Sequence, residues 1–172
     1  VWTNNALIAA GCLVLGVFLG IPVVLILWQN AFGVAVAAGL MAAAGRLDVF
    51  FGLITPHGLL ELTAVFIAAG AGLRLGWLVI DPGPLSRADA LAQAGRAAVG
   101  IAIGLVGVLL VSGVIEAFVT PSGLPTWARI AIGAAAEVAF LVYVWVYGRR
   151  AVAAGETGDV DESARGDRLP VV

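Results

Sequence analysis

Lysine is absent from the 172 residues, and charge of either sign is scarce. Charged side chains make up 12% of the chain against roughly 25% in a soluble domain, while 62% of it is hydrophobic. Those proportions exclude an ordinary water-soluble globule. Nine charged side chains lie from Arg149 onward, which leaves 11 for the first 148 residues. The net charge is -2 and the nine arginines are scattered, so there is no basic patch, and nucleic acid is excluded as a partner. The single cysteine, Cys12, excludes an intramolecular disulfide and reads as a small core residue. HExxH and GxSxG are both missing and Ser112 has no evident base, so no enzymatic activity and no cofactor are expected. One histidine with carboxylates is a sparse ligand set that no second histidine or cysteine completes into a common zinc site, and no metal is expected. No charge precedes Arg46, so the cationic start of a signal peptide is missing. The start at Val1 reads as a chain from which an N-terminal portion has been cut.

What is present is a succession of apolar runs. Bounded by polar and turn residues, they predict five spans at 6–28, 31–45, 58–80, 97–119 and 127–147. A spanning helix needs about 20 apolar residues. The second run is shorter, and a short interfacial or broken helix over 47–54, ending before Pro56, is expected to complete it. The fold class is therefore all-α, a polytopic transmembrane helical bundle over 1–148, followed by a disordered cytoplasmic tail over 149–172 whose acids lack apolar periodicity. Arg74, Arg87, Arg96, Arg149 and Arg150 fall at one set of span ends and only Arg46 and Arg129 at the other, which predicts a cytoplasmic C-terminus and an outer Val1. Trp2, Trp28, Trp77, Trp127 and Trp145 lie near span ends, where amphipathic rings settle. Ser86 and Asp89 form a capping pattern that opens the fourth helix after the Asp81-Pro82-Gly83-Pro84 turn.

Lipid gives helices no hydrophobic reason to associate, so small residues that let backbones approach are expected at helix contacts. Ala64, Ala68, Gly72 and Gly76 form one such stripe, and Gly100, Gly104 and Gly107 another. Ionisable groups inside spans are costly and mark a partner or a function. Thr55-Pro56 reads as a helix start that places His57 and Glu61 on one face of the third span. Asn4, Asn5 and Glu116 fall at a similar outer depth, and Glu137 could approach from below. These six residues form a candidate polar intramembrane cluster. It reads either as a lock in which His57 and Glu61 bond to each other and to Asn5, or as a proton or solute pathway, or as a sparse metal site, or as a partner contact. Arg74 is expected to snorkel to the cytoplasmic interface.

Four segments resemble the stage II sporulation protein M family: Pro56-His57-Gly58-Leu59-Leu60-Glu61-Leu62 running on through Ala69 to Gly76, Trp2-Thr3-Asn4-Asn5, Trp28-Gln29-Asn30, and Gly113 to Pro121. Taken together, the resemblance covers nearly all of Val1 to Gly148. It implies a multi-span membrane protein of the bacterial inner membrane. In sporulating relatives it belongs to an engulfment complex with peptidoglycan-degrading partners and is not the hydrolase. Arginine-only, Ala/Gly/Val-rich usage suggests an actinobacterial type, in which sporulation need not apply. The expected function is a non-enzymatic scaffold in a cell-envelope complex, with the lipid bilayer and envelope proteins as partners and a homo-oligomer left open. The alternative is a transporter or channel subunit handling a proton or small solute through His57, Glu61 and Glu116.

Overall fold

The computed structural model describes residues 2–156 and Gly158. Five α-helices follow one another: α1 (Trp2–Leu15), α2 (Ile21–Ala43), α3 (Leu47–Ile80), α4 (Arg87–Val114, continued by a π-helical turn over Ile115–Val119) and α5 (Thr126–Ala153). There is no strand among the described residues. The four helices α2 to α5 are long and apolar enough to cross a membrane, whereas α1 is shorter. The chain is a multi-pass helical membrane protein.

Helix α3 is the mast of the bundle. At 34 residues it is about 50 Å long, and it packs against each of the other four helices. Its buried residues include Gly58, Ala64, Ala68, Gly72 and Gly76. Small side chains on this scale let neighbouring backbones close in, which is how helices associate where water supplies no drive. A Cβ on Gly72 would collide with the Cys12 carbonyl, and one on Gly76 would meet the backbone of Gly16, Leu19 and Gly20. The pairs Asn5 with Glu61 and Cys12 with Gly72 run in the same sense, so α1 lies parallel to α3. Helix α2 returns antiparallel, with Val23 against Gly72 and Met41 level with Phe50. Ser112 meets His57, so α4 is antiparallel to α3, and α5 is again parallel, with Thr126 at Gly52 and Gly133 at Pro56.

The structure corrects the first two predicted spans. No helix runs over 6–28: the chain turns at Gly16–Gly20, where Leu19 and Gly20 both take left-handed backbone (φ 58° and 71°). Trp28-Gln29-Asn30 is no break but lies within the 23-residue α2, and Trp28, 72% exposed, projects from the middle of that helix. Nor is there a short interfacial helix before Pro56, because α3 passes through Pro56 without interruption. A membrane helix tolerates proline because neighbouring helices take up the freed backbone groups. At the far end, Arg149 and Arg150 belong to α5, which continues to Ala153, and their guanidinium groups lie over the rings of Trp145 (5.4 Å) and Tyr147 (5.5 Å). Such cation–π pairs suit a membrane interface. The turn between α3 and α4 follows its expected chemistry: the Asp89 amide donates to Ser86 Oγ (3.1 Å), capping α4. Of the tail, 157 and 159–172 lie outside the described residues.

Candidate functional site

A layer of polar side chains crosses the bundle where α1, α3 and α4 meet. Glu61 faces α1 and is 2% exposed, and its Oε2 accepts a hydrogen bond from Asn5 Nδ2. Its Oε1 is buried with no hydrogen-bond partner among the described residues. One turn earlier His57, 5% exposed, lies against α4, where its Nδ1 is 3.2 Å from Thr120 Oγ1. The fully buried Ser112 donates to the His57 carbonyl (2.9 Å), stitching α4 to α3. Glu116 lies within electrostatic reach of both His57 and Glu61.

The π-helical turn explains how Glu116 and Thr120 reach this layer. Its widened hydrogen bonding, with the Thr120 amide donating to the Ile115 carbonyl (2.9 Å), inserts a residue into the turn and re-aims the side chains. Single π turns of this kind recur at functional sites. Arg129 then clamps the end of α4 to the start of α5: Nη1 donates to the Thr120 carbonyl (2.6 Å) and Nη2 to Thr126 Oγ1 (3.0 Å). Beside this layer a cavity of about 530 Å³ is lined by Met41, Phe50, Leu53, His57, Glu116 and Thr120.

The six candidate cluster residues do not all converge. Asn5, His57, Glu61 and Glu116 assemble in one layer, but His57 bonds to Thr120 and not to Glu61. Glu137 is elsewhere: its Oε1 accepts from Thr63 Oγ1 (2.7 Å), on the side of α3 that meets α5, because Glu61 and Thr63, two residues apart, point to different sides of a helix. Asn4 points outward into a groove with Gln29 and Asn30. The sequence reading missed Thr120 and gave Ser112 no structural role. The signal for Ser112 was a hydroxyl inside an apolar run, whereas Thr120 sits at the head of a polar turn and gave none. Among the described residues no three of His, Cys, Asp and Glu converge as metal ligands.

The two small-residue stripes also differ. Ala64 and Ala68 are fully buried, and Gly72 and Gly76 are in backbone contact with α1 and the α1–α2 turn. Gly100, Gly104 and Gly107 are exposed, and a Cβ on any of them would meet nothing within 4 Å. No described helix of this chain covers them, since α4 and α5 pack on different sides of α3 and splay apart. Between them lies an apolar cleft of about 770 Å³, floored by Leu60 and Ile67, with Gly104 and Gly107 in one wall and Ala136, Ala139 and Phe140 in the other. Arg74 is exposed, within the last two turns of α3.

The model of one protein family, stage II sporulation protein M, matches residues 1–121. Neither a curated protein nor a solved structure matches the chain. All four motif segments fall inside the matched residues, as does the Asn5–Glu61–His57–Glu116 layer, while α5, with Gly133 and Glu137, lies beyond them. The expected resemblance as far as Gly148 is thus shortened to Pro121. With about two thirds of its length matched by that family model and its helices arranged as a multi-pass bundle, the chain belongs to the stage II sporulation protein M family.

Proposed function

We propose that this protein is a non-enzymatic scaffold of the bacterial cytoplasmic membrane, with its C-terminus in the cytoplasm, that holds partners of a cell-envelope complex which remodels peptidoglycan. The family membership supports the process, and the α4–α5 cleft supports the scaffold. That cleft is the observation that carries the reading: it is apolar and open along its side, with glycines on one wall and alanines on the other. Such a lining admits the backbone of another transmembrane helix at close range. The occupant we assign is the membrane anchor of an envelope hydrolase or of its regulator.

The test is quantitative mass spectrometry of what co-purifies with the tagged chain from native membranes in mild detergent. A recurrent, stoichiometric envelope hydrolase or its anchor subunit supports the reading, provided its recovery drops when Gly104→Leu and Ala139→Leu fill the cleft. Recovery that ignores those substitutions, or a chain that emerges alone, overturns it. Reporter fusions at the C-terminus check the orientation.

One observation favours a second reading, transport of a proton or small solute: the cavity that brings His57 and Glu116 together beside the buried, half-partnered Glu61. Flux in proteoliposomes that depends on a proton gradient and disappears in Glu116→Gln is its expected outcome. Vesicles that stay tight under every gradient exclude it.

A further inference from the structure

Helix α2 leaves most of its apolar surface uncovered. Val23 is its one buried residue, although the helix is 23 residues long. Its first half leans on α1 and α3, and beyond Asn30 all but two residues are exposed. On the open side of the α1–α2 hairpin, Asn4, Gln29 and Asn30 line a groove of about 420 Å³ together with Leu7, Ile8 and Gly33. None of these three amides has a hydrogen-bond partner among the described residues.

Their depth makes this significant. Gln29 and Asn30 lie roughly 12–14 Å from the Ile21 end of a helix about 34 Å long, near the middle of a hydrocarbon layer about 30 Å thick. An amide there has no water to bond, so it must find another polar group or remain unsatisfied. As placed, the three amides are unpaired among the described residues: α1 and α2 carry no charged side chain, and the nearest polar layer is turned the other way, with Asn5 committed to Glu61. An uncharged face gives no means of selecting a partner of opposite charge. An amide, in contrast, is both donor and acceptor and is therefore complementary to itself.

We propose that two copies of this chain pair through the α1–α2 face, Gln29 and Asn30 of each copy hydrogen-bonding to those of the other across a twofold axis. A contact in which one patch meets its own copy is the commonest closed assembly. Gly33, one turn beyond Gln29 and with open space around it, lets the two α2 backbones approach closely. This interface uses a different side of the molecule from the α4–α5 cleft, and it stands whether or not the cleft holds a partner.

The test uses the whole chain carrying donor or acceptor fluorophores at the C-terminus, reconstituted into phosphatidylcholine bilayers over a range of protein-to-lipid ratios. Energy transfer that follows a monomer–dimer equilibrium is expected. With Gln29→Leu and Asn30→Leu together, the dissociation constant should rise roughly tenfold or more, as befits the loss of several interhelical hydrogen bonds. Gln29 is exposed and Asn30 half-buried on the open side of the hairpin, so leucine is compatible with the monomer's fold. Gly104→Leu, which fills the cleft, should leave the transfer unchanged. In a second measurement Gly33→Cys should form an intermolecular disulfide in native membranes, since such a bond requires the two Cα atoms to lie within about 7 Å. The buried Cys12 supplies no background. A wild-type chain that stays monomeric at every ratio, a dimer indifferent to the loss of both amides, a dimer broken by Gly104→Leu, or a Gly33→Cys chain that does not cross-link each overturns the proposal.

Discussion

The carbonyl of Pro56 stands where a Cβ on Gly133 would have to be. Two helices meet there backbone to backbone, at the residue of α3 that has no amide hydrogen to donate. Gly133→Ala is expected to push α5 off α3 and to destabilise the bundle by about 1–3 kcal/mol, the usual cost of overpacking. Gly148→Ala, later in the same helix with open space around it, should be neutral or slightly stabilising. Thermal unfolding of both variants in the same micelles makes the comparison, and equal melting temperatures would show that the α3–α5 contact is looser than described.

The two glycine stripes should respond oppositely to the same chemistry. Alanine at Gly72 or Gly76 drives a methyl into the backbone of α1 or of the α1–α2 turn, and a loss of about 1–3 kcal/mol is expected. At Gly100 or Gly104 the methyl meets nothing, so Ala should gain about the 0.5–1 kcal/mol by which it exceeds glycine inside a helix. Reversible unfolding of the four single variants separates the stripes. A similar loss at all four positions would mean that α4 has a close neighbour within the chain.

The contrast shows how far the sequence could be read. Glycine spacing marks where backbones are able to approach, but the partner that makes them do so lies in three dimensions, and only one of two equally good stripes met it. Hydropathy located α4 and α5 closely because polar turns flank them, at Asp81–Ser86 and Thr120–Pro125. It misplaced the first hairpin because the turn at Gly16–Gly20 is as apolar as the helices around it, while the polar Gln29-Asn30 pair that looked like a break lies inside α2. Left-handed backbone makes that turn, and composition does not record it. Within the site, Asn5 and Glu61 were legible as intramembrane polar groups. The separation of Glu137 from Glu61 was not, because it depends on which side of α3 each neighbouring helix occupies.

Leu19 is the only non-glycine described residue with left-handed backbone. A leucine side chain is crowded in that conformation, by roughly 1–2 kcal/mol relative to right-handed backbone, and Leu19 is exposed, so little packing offsets the strain. Leu19→Asn, an amino acid that visits this region readily, should raise the melting temperature in detergent. Its neighbour answers in the other direction. Gly20 is also left-handed, and a Cβ there would lie 2.9 Å from Leu73 Cδ2, so Gly20→Ala should lower stability and loosen the α1–α2 turn. Hydrogen exchange at the Gly16–Gly20 amides, faster in Gly20→Ala and slower in Leu19→Asn, locates the effect. If exchange there is unchanged in both, the turn is not the source of either shift.

The hydrogen bond from Asn5 to Glu61 joins α1 to the mast at the level of the polar layer, and its removal is asymmetric. Asn5→Leu takes away the donor and leaves the Glu61 carboxyl with neither oxygen partnered by α1, in a site only 2% exposed. A cost of about 1–3 kcal/mol is expected for that orphaned group. Glu61→Gln keeps an acceptor oxygen for Asn5 and should cost less. Glu61→Leu strands only a neutral amide, which is cheaper to leave unpaired than a carboxyl. The double change Asn5→Leu with Glu61→Leu removes both polar partners at once, and replacing both by apolar groups is close to neutral. The double variant should therefore be more stable than Asn5→Leu alone, a non-additivity that a double-mutant cycle measures directly. Strict additivity would mean that the two residues do not interact and that α1 is held to α3 by the Gly72 and Gly76 contacts alone.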